Sequence, residues 1–181
     1  TATATAPLGS VSSARREKIK MYERKTLYQM TLPDPEGKDI FIRSGSARQP
    51  GTATLEATDG MAHPVIKYSV SKLVDHSRVV KAELSLYESS SGTSLAQRRL
   101  YAHRATRDWK DDDATWTFPW TAAGGDYAAV ADASAALGAN GRYTLRIDTL
   151  VRRWMDGIVP DFGVVLKPSG MNGARLNSLE N

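Results

Sequence analysis

Asp111, Asp112 and Asp113 form the densest acidic run of this chain, and hard oxygen ligands crowded into a loop are what Ca²⁺ takes. The same run also reads as a solvated acidic turn balanced by Arg107 and Lys110. Trp109 and Trp120 lie close by in loops of polar or small residues, where an exposed indole face stacks the C–H side of a pyranose ring. Trp116 and Trp154 sit on apolar faces and read as core. In AQRRLYAHRAT, alternation puts Arg99 and Tyr101 on one face of a strand and Arg98 and Arg104 on the other. Either face supplies guanidinium groups that would grip the carboxylates of an acidic polysaccharide. For each of these residues a purely structural role competes with the ligand role.

Catalytic chemistry finds little to work with. The chain contains no Ser-centred elbow, no HExxH, no phosphate-binding loop and no GxGxxG. It has no cysteine, which excludes thiol catalysis, disulfides and cysteine-ligated metal. His63, His76 and His103 fall at unrelated spacings and read as surface residues rather than a metal trio. The expectation is a non-catalytic chain with no cofactor other than a structural Ca²⁺. A net charge of +4 favours polyanionic partners. No recognition motif for specific nucleic acid is present, and no stretch approaches the ~18 apolar residues of a membrane span.

The elements that must carry these residues are short strands. DIFIRS, TATLEAT, VIKYSVSKL, VVKAELSLYE and AQRRLYAHRAT alternate at period two or run apolar, and clusters of Gly, Ser, Pro and Asp separate them. LYQMTL reads as an earlier strand, and ATWTF and Tyr127 to Asp132 as later ones. In Arg142 to Lys167 the period changes within one segment. Tyr143, Leu145 and Ile147 alternate as a strand, Leu150, Val151 and Trp154 make a helical stripe ended by Gly157, and Phe162 to Leu166 is apolar enough for a strand covered on both faces. Crossover helices for a parallel sheet are missing, so the expected fold is an all-β antiparallel jelly-roll sandwich with one short helix near its C-terminal strands.

Residues 1 to about 24 differ in composition: a Thr-Ala opening, then SSARREKIKMYERK with a basic face and no apolar stripe. They read as an extended basic arm or linker ahead of a sandwich domain spanning 25 to 181.

AELSLYE, ATWTFP, YTLRIDTLVRRWMDGIVPDFGVVLK and RLNSLEN, in that order, resemble the DNRLRE domain, a jelly-roll module also classed as the ninety-sixth family of carbohydrate-binding modules. The resemblance covers about Tyr68 to Asn181, with KYSVSKL standing where the family has an RFDLSSL-like segment. It implies a secreted or cell-surface module of a bacterium or archaeon that binds carbohydrate without catalysis. Two departures matter. The family continues into a last strand beyond its SSEN-like segment, so the domain is expected to lack that strand and leave an open sheet edge. Arg152 and Arg153 also stand where members often carry Gln-Glu-like residues. The alternative is a structural surface or filament subunit, self-associating by strand exchange through an arm such as Thr1 to Ala6.

Overall fold

The computed structural model describes residues 37–47, 52–70, 79–90, 93–138 and 140–177; the expected basic arm, the LYQMTL strand and His76 lie outside them. Within them lie β1 (Lys38–Arg43), β2 (Thr54–Ala57), β3 (Ala62–Lys67), β4 (Glu83–Ser90), β5 (Thr93–Arg104), β6 (Ala133–Ala136), β7 (Arg142–Arg146), α1 (Asp148–Met155), β8 (Val164–Asn172) and β9 (Ala174–Asn177). The strands form two sheets, ordered β1-β3-β8-β5-β6 and β2-β9-β4-β7, and every pairing is antiparallel. The fold is an all-β sandwich with one short helix. The chain changes sheet at every step along the strands except from β5 to β6.

Alternation decides which side chains meet between the sheets. Phe41, Ile66, Leu100, Ala102, Val164 and Leu166 from the first sheet face Leu55, Leu84, Leu86, Tyr143, Leu145 and Leu176 from the second. Helix α1 lies where the chain crosses from β7 to β8. It buries Leu150 and Val151 against this core, with Trp154 half-buried beside them. Asp148 in its first turn pairs with Arg152 one turn on at 2.9 Å, and Gly157 ends it at φ +64°, a conformation glycine adopts without strain.

Two buried polar knots tie the sheets together. Glu88 of β4 accepts from the guanidinium of Arg98 on β5 and, at 2.7 Å, from the hydroxyl of Tyr143 on β7. Burial, reinforced by the Glu88 carboxylate, pushes the Tyr143 phenol far above its ordinary range. Elsewhere Glu56 of β2 takes two bonds from Arg43 of β1, at 2.9 and 2.7 Å, and lies 3.5 Å from Arg175 of β9. Glu88→Ala strands a largely buried guanidinium, so we expect it to lower unfolding free energy by about 3 kcal/mol, read from the urea midpoint.

Several expected strands differ. ATWTF is a tight turn: Thr115 donates its N–H to the Phe118 carbonyl at 2.7 Å and accepts the Phe118 N–H on its hydroxyl at 3.1 Å. Local side-chain bonding offers this backbone an alternative to a ladder. Tyr127 makes a single bridge to Ala105, and the strand expected there forms at Ala133–Ala136 instead. Strand β4 begins at Glu83, leaving Val80 exposed.

Candidate functional site

The β5–β6 connection, residues 105 to 132, does not hang free. It folds back as a strap over the outer face of the five-stranded sheet, where Ile40, Ile42, Val65 and Val165 form a second core with Trp109, Trp120 and Ala114. This explains why β1, β3 and β8 carry apolar residues on both faces. Trp109 is 1% exposed and donates its indole N–H to the Phe162 carbonyl at 2.8 Å. The Lys38 ammonium lies 4.5 Å from the indole ring's centroid and donates to the Trp109 carbonyl. Trp120 is 6% exposed and donates to the Thr115 carbonyl at 2.8 Å. Neither tryptophan is therefore an open sugar platform, contrary to the expectation from their polar neighbours. Those neighbours are the rim of a buried site: Asp108 lies 4.0 Å from Lys38 and 3.9 Å from Lys67. Trp116, expected in the core, is half-buried against it.

The acidic run is an exposed turn in which the Ala114 N–H donates to the Lys110 carbonyl at 3.0 Å. No group of three or more metal-ligating side chains gathers among the described residues, so Asp111, Asp112 and Asp113 do not form the many-oxygen cage that Ca²⁺ requires. The charges of Asp111 and Asp112, with Asp108, bear instead on Lys38, whose pKa burial lowers and these carboxylates partly restore.

Strand β5 separates its two faces clearly. Gln97, at φ +69°, marks a shift in register, after which Arg98, Leu100, Ala102 and Arg104 turn inward and Arg99, Tyr101 and His103 outward. Arg98 is committed to Glu88. Arg104 is committed to Asp132, which accepts from its guanidinium at 3.1 Å and from its backbone N–H at 2.9 Å. Arg99 and Tyr101 remain on the surface that the strap leaves uncovered. Tyr101 stands opposite Lys167 on β8 and Ser134 on β6, and Arg99 reaches the Ser134 hydroxyl at 3.3 Å. The Lys167 ammonium lies over the Tyr127 ring, 4.9 Å from its centroid. Among the described residues neither Arg99 nor Lys167 has a carboxylate partner.

Tyr127 also lines an open depression of about 550 Å³, walled by Thr106, Arg107, Thr121 and Asp126. Burial favours the neutral form of Asp126. Bonds from the Thr121 backbone and hydroxyl, the Arg107 guanidinium and the Ala122 N–H outweigh it and bring the carboxyl down to about 2. Asp126 thus fixes the strap, and by taking the Arg107 Nε–H at 2.8 Å it leaves the terminal N–H groups of that guanidinium free of this bond. The usable surface is a strip of Arg99, Tyr101, Lys167, Tyr127 and Arg107, with cations beside aromatic rings.

Of the strip, the strand alternation points only to Arg99 and Tyr101. Lys167 could have been placed by extending the register of β8 opposite β5. Arg107 and Tyr127 join through the strap, for which the sequence carries no periodic signal.

His63 and His103, read from sequence as surface residues, are buried at 4% and 8% exposure. Each turns its Nδ1 to a strap carbonyl, His63 to Gly124 at 2.9 Å and His103 to Ala128 at 2.8 Å. They face the strap from β3 and β5 and hold it down.

Neither a scan against protein-family models nor a search of curated proteins returns a match to this chain. Among the described residues no helix is long and apolar enough to cross a membrane.

Proposed function

We propose that this chain is a non-catalytic carbohydrate-binding module of DNRLRE type, displayed outside the cell, and that it binds acidic polysaccharide on the outer face of its five-stranded sheet. The single observation that carries the reading is that Arg99 and Lys167 flank Tyr101 without carboxylate partners among the described residues, while Arg98 and Arg104 on the same strand are neutralised. A polyuronate supplies the missing counter-charges, and its sugar C–H faces suit the half-exposed tyrosine rings. The strand order supports the jelly-roll assignment: β2-β9-β4-β7 facing β3-β8-β5-β6 is the arrangement produced when a long hairpin wraps into two sheets, with β1 added at one edge.

Affinity electrophoresis in gels containing alginate-like or pectin-like polymers tests the reading. Retardation is expected, with Arg99→Ala and Lys167→Ala each weakening it about tenfold, the loss of one charge-assisted contact. It should also fall with added salt. A chain that ignores these polymers yet sediments as large assemblies favours the alternative, a structural surface or filament subunit.

A further inference from the structure

We propose that His63 is an acid-sensitive clasp that holds the strap against the sheet, and that its protonation opens the strap and thereby disassembles the strip described above. The binding half of this inference rests on the functional reading just given; the conformational half stands alone.

The observation is an imbalance at one ring. A carbonyl only accepts, so the His63 Nδ1 facing the Gly124 carbonyl at 2.9 Å must carry the proton. In neutral imidazole that leaves Nε2 as a bare acceptor, and this atom is buried with no partner among the described residues. The surroundings fit the neutral ring closely. Trp116 lies against it with centroids 5.0 Å apart, Tyr127 meets it edge-on at 6.5 Å, and a Cβ on Gly124 would come within 3.1 Å of the Trp116 ring. A second proton would place an N–H with no acceptor on Nε2 and a charge in this pocket.

The charged neighbours do not relieve it. Lys167 on β8 and His103 on β5 oppose protonation, and the carboxylate of Asp59, in the turn before β3, favours it. Burial is the largest effect and holds the imidazole below its ordinary pKa. Asp126, ionised down to about 2, does not titrate in the same window.

A histidine whose pKa is lower in the closed form stabilises that form above pH 6.5. The advantage is lost as pH falls from there through the closed-form value, because only the open form takes the proton readily. One proton is linked to the step, so the open-to-closed ratio rises up to tenfold for each pH unit within that window. The strip goes with the strap, since Tyr127 and Arg107 belong to it and Lys167 rests on Tyr127. Polyuronates stay ionised across the window, so binding would fall on the protein's account alone.

The test follows the His63 ring protons by NMR together with tryptophan emission and far-ultraviolet circular dichroism from pH 8 to pH 4.5. The expected result is a His63 midpoint below 6.5, an emission red-shift with the same midpoint, and an unchanged strand spectrum. His63→Asn keeps a side-chain N–H near the Nδ1 position and cannot titrate; its emission should stay flat. Where that variant folds poorly, the wild-type coincidence of the two midpoints decides. A His63 midpoint at 6.5 without an emission change, or a red-shift that tracks the separately resolved His103 resonance, overturns the clasp. With alginate as probe, retardation should vanish in the same window for wild type and persist for His63→Asn. Opening without any alginate binding at pH 8 would sink the functional reading and leave the clasp standing.

Discussion

Trp109→Ala is expected to destabilise the protein by about 4 kcal/mol, enough to shift the urea midpoint by more than one molar, because it empties the centre of the second core. The indole is nearly fully buried, anchors the strap to the start of β8 through the Phe162 carbonyl, and carries the Lys38 ammonium near its ring. Its removal leaves a cavity over Ile40, Ile42 and Val165 together with an orphaned carbonyl. An exposed sugar platform would behave in the opposite way, losing ligand with stability intact. Trp109→Phe separates the contributions: it restores most of the volume but not the N–H, so a loss of roughly 1–2 kcal/mol is expected.

Gly163→Ala should be about as damaging for a different reason. Gly163 sits at φ +80° where the chain enters β8, and its carbonyl accepts the Ala105 N–H at 2.9 Å, at the point where the strap departs. A Cβ there would lie 2.3 Å from the Ile66 carbonyl oxygen and 2.9 Å from the Lys67 Cα, both backbone atoms of β3. The neighbour cannot swing away as a flexible side chain would. Left-handed strain of ~1–3 kcal/mol adds to the cost of prising β3 from β8, so about 4 kcal/mol is expected. Thermal unfolding followed by circular dichroism measures it, and Gly157→Ala is the control. Gly157 has a similar φ of +64° but open space at its Cβ, so only the strain should appear.

The sandwich was legible because its strands state their own burial. Leu84 and Leu86 alternate with exposed residues, Tyr143 and Leu145 do the same, and the apolar run into β8 announces a strand covered twice. What covers its second face was not legible. The strap is held to the sheet by single bonds to carbonyls from Trp109, His63 and His103, with partners 53, 61 and 25 residues away, and such contacts leave no periodic trace. Polar flanks therefore suggested exposure for Trp109 and Trp120 when they were only the rim of a burial site. The site was half legible for a similar reason. Alternation separates Arg99 and Tyr101 from Arg98 and Arg104, but only the partners Glu88, on the preceding strand, and Asp132, at the end of the strap, show which face is already neutralised.

The outer face of the five-stranded sheet as the binding surface is tested most directly by an amide and side-chain NMR titration with a short oligouronate at pH 7.5 and low salt. Saturable shifts at Arg99, Tyr101, Lys167 and Tyr127, with Glu88, Tyr143 and the four-stranded sheet unmoved, are the predicted result. Shifts confined to the four-stranded sheet, or none at millimolar ligand, would contradict it.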